Sequence, residues 1–228
     1  MSGFLRLLSL SIALFAAPTL SAAEAEPPGR VGRISLASAG TQLRIGDSLA
    51  SGEDTLNWPL TTGALIETSA GGRSEVRIGS MALHIDGGTA LEFADLDDAR
   101  IRLRLHRGSI VIVLRNPEHA AETTLETPEG SLRFETPGSY RADVAGGTTA
   151  FSANRGRAFI EMFGLTVHAG ERIVLLGGPD RRYLLGQTTT DAFRQWSLAR
   201  EPGPALGQHV SPEMTGQEAL DRHGIWQE

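Results

Sequence analysis

The sequence predicts an all-β fold, an antiparallel β sandwich or roll with one short C-terminal helix. Three observations carry this. Apolar and polar residues alternate with a period of two over short runs, Gly, Asp and Asn separate the runs, and helical punctuation is concentrated in one late segment. A solenoid-like coil of strands would produce the same pattern and stays open as an alternative.

Taken in order, the strands are expected at Val31–Ala37, Gln42–Ile45, Glu75–Ile78, Ala82–Ile85, Leu91–Phe93, Ile101–His106, Ser109–Leu114, Ser131–Phe134, Ser139–Val144, Ala158–Phe163 and Arg172–Leu176. Asp86-Gly87-Gly88 and Gly146-Gly147 supply the positive φ angles of tight hairpins, and Asp97-Asp98 closes a turn through side-chain hydrogen bonds to its own backbone. Ile101, Leu103 and Leu105 share one strand face and Arg102, Arg104 and His106 the other, whereas Ile110–Leu114 is apolar on both. A strand apolar on both faces implies a sheet covered on its second side. Thr190 or Asp191 caps a helix over Ala192–Arg200, stopped by Pro202 and Gly203, and Phe193 and Trp196 give it an apolar side for docking. VGRISL at 31–36, RGSIVIV at 107–113 and RGRAFIE at 155–161 reuse one strand-opening unit at unequal separations, which is no fixed-period array.

The expected organisation is a signal peptide at 1–23, a polar linker at 24–30, a β domain at 31–186, a docking helix within 187–201 and an irregular tail at 202–228. In the leader, Arg6 is the one charge before the apolar run Leu7–Leu20, which Pro18 interrupts and Ser21, Ala22 and Ala23 follow. That run falls short of the roughly 18 to 20 apolar residues that span a bilayer. Cleavage after Ala23 and cleavage after Ala25 both satisfy the small-residue pattern. The expected location is the periplasm; an uncleaved N-terminus would instead give a membrane-anchored signalling protein.

The chain of 228 residues contains no Cys, so disulfides, thiolate metal sites and thiol chemistry are excluded. Its net charge of −6 argues against bulk attraction to nucleic acid or anionic lipid. All 21 basic residues are Arg, a composition that reads as coding bias.

No catalytic signature emerges. His84, His106, His119, His168, His209 and His223 lack metal-ligand spacing and are expected on surfaces or hairpins. Asp95, Asp97 and Asp98 lack the further ligands of a Ca²⁺ loop and read as a polar turn. No G-x-S-x-G elbow occurs; Gly79-Ser80 and Gly108-Ser109 read as ordinary hairpin or strand-opening pairs. Glu126, Glu129 and Glu135 could supply paired carboxylates, as any acidic protein can. The stripe Arg100, Arg102, Arg104 and His106 is the candidate binding face, with Arg77 nearby if the strands pair; the competing reading is a solvated face cross-paired with Glu75, Glu92 or another carboxylate.

LTTGALIETSAGGRSEVRIGSMALHI at 60–85 and TPGSYRADVAGGTTAFSANRGRAFI at 136–160, with the strand-opening units, resemble the FecR domain over roughly residues 31–176. DAFRQWSLARE at 191–201 and VSPEMTGQEALDRHGIW at 210–226 are similar to an uncharacterised bacterial family of exported FecR-domain proteins. The resemblance implies a periplasmic sensing or scaffolding β domain without assigned catalytic residues. FecR itself is a transmembrane regulator whose cytoplasmic segment touches a sigma factor; here six residues precede the apolar run, so no direct sigma-factor contact is expected. The function expected is therefore non-enzymatic binding of another cell-envelope component, either a protein or an anionic envelope polymer, without cofactor or metal. The alternative from another class is an envelope-active hydrolase on glycan or peptide bonds.

Overall fold

A computed structural model describes residues 29–201; the predicted signal peptide, most of the linker and the tail from 202 lie outside the described residues. The fold is all-β. The strands are β1 (Gly32–Ala37), β2 (Thr41–Ile45), β3 (Ser48–Ser51), β4 (Pro59–Leu60), β5 (Ala64–Thr68), β6 (Ser74–Ile78), β7 (Met81–Ile85), β8 (Ala90–Leu96) and β9 (Ile101–Leu114). A six-residue helix α1 (Pro117–Glu122) follows, then β10 (Thr123–Thr127), β11 (Gly130–Phe134), β12 (Gly138–Ala145), β13 (Thr148–Arg155), β14 (Ala158–Ile160), β15 (Leu165–Val167), β16 (Glu171–Leu176), β17 (Arg182–Gln187) and helix α2 (Ala192–Arg200).

These strands form two packed layers rather than a coil. Sheet A runs β4-β1-β6-β7-β9-β12-β13-β16-β17. Sheet B runs β3-β2-β5-β8-β9-β10-β11-β14-β15. Ile34, Leu83, Ile112 and Phe151 from one layer and Leu43, Ile66, Phe93 and Leu103 from the other meet in a single core, the arrangement that alternating strands dictate.

β9 belongs to both layers. The sequence suggests separate strands at Ile101–His106 and Ser109–Leu114; the chain instead runs through 14 residues without a break. Its first half pairs with β8 and β10 in sheet B and its second half with β7 and β12 in sheet A. Gly108 makes the corner with φ +88°, where a Cβ would sit 2.4 Å from Thr89 Cα, so no other residue fits. Thr89 staples the corner, its hydroxyl accepting from Ser109 N–H at 3.0 Å and donating to Ser109 O at 3.2 Å. Because β9 leaves sheet B at Gly108, the chain must return through α1, and β10 then lies parallel to the start of β9. A parallel pair requires such a crossover; the named strands otherwise pair antiparallel.

One further expectation is corrected, and α1 is a helix the sequence pattern did not announce. Ala158–Phe163 is not one strand: β14 stops at Ile160, and Glu161–Phe163 form a 3₁₀ turn closed by Gly164 at φ +61°. α1 is capped by Asn116, whose side chain accepts from His119 N–H at 2.6 Å, with Pro117 opening the first turn.

Tyr140 of β12 is fully buried, and its hydroxyl bonds Thr136 O at 2.6 Å and accepts from Arg157 N–H at 2.9 Å. Gly156, at φ +86°, leaves room for that ring, since a Cβ there would lie 2.1 Å from the hydroxyl. Tyr140→Phe is expected to cost about 1–2 kcal/mol, chiefly through the lost bond to Thr136 O, since Arg157 N–H keeps Thr136 Oγ1 at 2.9 Å; it is read as a lower urea midpoint at unchanged slope.

Candidate functional site

Two clusters of charged side chains lie on opposite outer faces of the sandwich. The first contains the predicted stripe. Arg102 and Arg104 point outward from sheet B because Ile101, Leu103 and Leu105 occupy the core face of β9. Arg102 pairs with Asp95 at 2.8 Å and Glu126 at 3.5 Å; Arg104 bridges Glu92 at 3.2 Å and Glu126 at 2.9 Å; His106 meets Glu92 at 2.8 Å. Arg107 extends the ladder to Glu67 at 2.7 Å. Burial raises the pKa of Glu92, but bonds from His106 and Arg104 outweigh it and hold this carboxyl below its ordinary value. Arg100 sits one residue before the strand, on an exposed turn where Asp97 Oδ1 accepts from Ala99 N–H and Arg100 N–H, both at 2.8 Å. The structure thus gathers Arg102, Arg104 and His106, with Arg100 at the end of the row. Arg77 is not near them; it lies on the other sheet.

In the second cluster the Asp191 cap and the docking of Phe193 and Trp196 are as the sequence predicts, whereas their charged and polar partners were not legible in it. α2 crosses the outer face of sheet A, where Phe193 and Trp196 cover Ala82, Val111 and Val113. This covering explains why β9 is apolar on both faces beyond Gly108. Burying Phe193 contributes about 2 kcal/mol. Guanidinium groups clamp the two rings: Arg73 lies 5.2 Å from Trp196, Arg141 5.4 Å from Phe193 and Arg200 5.5 Å from Trp196. Asp191 caps the helix through Arg194 N–H at 2.8 Å and pairs with Arg141 at 2.7 Å. At the other end Glu201 accepts from Arg194 at 3.0 Å, Arg155 at 3.1 Å and Ser139 at 3.3 Å.

Beneath the helix lies a buried polar network. Ser197 Oγ is 2.7 Å from His84 Nδ1, and His84 Nε2 is 4.0 Å from Glu75 Oε2. Glu75 also accepts from Arg77 at 2.7 Å and Ser35 at 2.8 Å, and bonds Arg200. A lone pair on Nε2 would face the carboxylate, so the ring proton belongs on Nε2, and Nδ1 accepts from the Ser197 hydroxyl. Burial is the main cause pushing the His84 pKa down to about 4, aided by Arg77 and Arg200 and opposed by Glu75 and Glu201. Burial acts the other way on Glu75, yet Arg77, Arg200 and Ser35 together hold its carboxyl below the usual range.

Ser197, His84 and Glu75 make a nucleophile-base-acid trio only on paper. Ser197 and His84 have no solvent exposure, and the carboxylate is bound to two arginines and does not hydrogen-bond the ring. Hydrolytic chemistry needs an accessible hydroxyl beside an oriented base; this geometry instead ties a helix to a sheet.

No family model and no curated protein matches the chain. Two crystal structures of a candidate anti-sigma factor from Parabacteroides distasonis ATCC 8503 are similar to part of it. One is 15% identical with a TM-score of 0.46 over 54% of this chain and 59% of the other. The second is 14% identical with a TM-score of 0.47 over 60% of this chain and 65% of the other. The chain therefore spans less than two thirds of either neighbour.

The remaining candidates resolve as separate local contacts. Glu126 belongs to the Arg ladder, Glu129 bonds Thr149, and Glu135 pairs with Arg157 at 2.7 Å. His84 and His119 are buried, contrary to the surface expectation, because each anchors a helix: His84 meets α2, and His119 lies in α1 with its Nδ1 3.2 Å from Ser80 Oγ. His106 and His168 are exposed, and His209 and His223 lie outside the described residues. Among the described residues no group of three or more His, Cys, Asp or Glu could hold a metal ion, and no helix is long and apolar enough to cross a membrane.

Proposed function

We propose that this chain is a non-enzymatic, exported FecR-like β domain that binds another component of the cell envelope through the outer face of sheet B. The ladder Asp95–Arg102–Glu126–Arg104–Glu92–His106 carries this reading. It presents alternating charges, fixed by cross-strand pairs on a rigid layer, and pre-organised side chains lose little freedom on binding. Periplasmic location rests on the Leu7–Leu20 leader pattern, and the sensing or scaffolding role on the FecR-like strings. The ladder also favours one of the two partner classes. An anionic polymer would have to displace Glu92, Glu126 and Asp95 from arginines they already bond, whereas a protein surface of complementary alternating charge can add to them. The occupant proposed is therefore an envelope protein.

The test is crosslinking of the protein recovered from the periplasmic fraction, comparing wild type with Arg102→Ser/Arg104→Ser. The double variant is expected to lose at least about tenfold in partner capture, equivalent to about 1.4 kcal/mol. Its melting temperature should fall by only a few degrees, because half-exposed ion pairs contribute about 1 kcal/mol or less. Equal capture by both proteins would reject the ladder as the binding face.

A further inference from the structure

β17 is the outermost strand of sheet A, paired on one side with β16 and, among the described residues, with nothing on the other. Protein sheets commonly protect such edges with charge, Pro or bulges, because open edges template strand pairing. This edge carries none of those across its centre. Tyr183, Leu184 and Leu185 are all exposed, Leu185 at 73%, and the register with β16 is unbroken from Arg182 to Gln187.

The hydrogen-bond parity of the edge follows from its neighbours. Gly177 N–H donates to Gly147 O on the β13 side, and Thr188 N–H donates to Gly170 O on the β16 side. Alternation then turns the backbone groups of Arg182, Leu184 and Gly186 toward β16 and those of Tyr183, Leu185 and Gln187 outward.

We propose that β17 pairs antiparallel with β17 of a second copy of this chain, across a two-fold axis at Leu185, joining two copies of sheet A into one continuous sheet. Two-fold pairing must set outward-facing residues against outward-facing residues. An axis at Leu185 does so for all three: Tyr183 meets the second copy's Gln187, and Leu185 meets its own equivalent. An axis at Leu184 would instead set Gln187 against Arg181, whose φ of +42° is not extended.

The sequence of the strand fits the same register. Leu184 falls opposite the second copy's Gly186, and Arg182 opposite its Thr188, so no like charges meet. Gly186 is not required by its own fold: its φ is not positive, and the nearest atom to a Cβ there would be Arg172 O at 3.9 Å. A glycine that the monomer does not need, placed where a neighbouring Leu must lie, favours a second copy over an unrelated extended peptide.

Light scattering on the mature protein at micromolar concentration, with Leu185→Asp and Leu185→Lys, tests the pairing. Wild type is expected at twice the monomer mass. Each variant should raise the dimer Kd by at least about tenfold while the melting temperature of the monomer holds, because Leu185 makes little contact within its own chain. An equimolar mixture of the two variants should restore the dimer, since Asp and Lys would then face each other at the axis. A monomeric wild type would overturn the proposal, as would a dimer indifferent to both substitutions or a mixture that stays monomeric. An edge filled by the chain's own residues 202–228 gives the first of these outcomes.

Discussion

Glu75→Ala is expected to destabilise the protein by about 3–5 kcal/mol, the cost of removing one partner from a buried ion pair. Glu75 is 2% exposed and accepts from Arg77, Arg200 and Ser35. Without it, the Arg77 guanidinium stays under α2 with its main counter-charge gone, and Arg200 loses its bond to the sheet. Glu75→Gln, which keeps the volume and one acceptor oxygen, should recover part of the loss. Because the damage falls where α2 meets sheet A, Trp196 should report it: in urea, its fluorescence change should come at lower denaturant than the far-ultraviolet signal of the strands. If Glu75→Ala unfolds within about 1 kcal/mol of wild type, the network under the helix contributes no more than an exposed ion pair, and this account of helix docking fails.

Stability should also fall as pH drops from about 6.5 to about 4, by a total of about 3 kcal/mol. The folded chain holds His84 neutral with its pKa pushed down to about 4, while the unfolded chain takes up that proton at the ordinary value of 6.5. Between the two values the unfolded state binds more protons, so acid favours it; above 6.5 neither form is charged and the full stability is present. The carboxyls of Glu75, Glu92 and Asp191, held below their ordinary values, lose their contribution only in more acid solution. Urea midpoints between pH 7.5 and 5 for wild type and His84→Gln should therefore converge as pH falls, the variant being nearly flat. Parallel curves would mean that His84 takes up a proton without opening the α2 interface.

The legible parts of this protein are those in which one strand or helix meets solvent on one side and core on the other. Alternation placed β1, β2, β6, β7, β12 and β16 to within a residue or two, because period two is imposed wherever one face is buried. Asp191, Phe193 and Pro202 marked α2, whose cap and buried residue are those expected. Strands with weaker patterns were not read. Buried polar residues such as Thr149 and Ser152 interrupt the apolar alternation along β13, and β17, exposed among the described residues, has no buried face to impose a period of two. α1 is too short to show a helical period.

The candidate site divides in the same way. That Arg102, Arg104 and His106 share a face follows from their spacing alone, but their partners Asp95, Glu92 and Glu126 come from β8 and β10, and only strand pairing selects them. The trio Glu75, His84 and Ser197 could not have been found by spacing, since 113 residues separate His84 from Ser197.

The sequence by itself determined the fold class, the absence of disulfide and thiol chemistry and the late helix α2, because each rests on composition or on a period within one short segment. Only the tertiary structure decided that β9 serves both sheets through Gly108, that His84 is sealed beneath α2 and that β17, among the described residues, has a neighbour on one side only. These depend on contacts between residues far apart in the chain, which local periodicity does not encode.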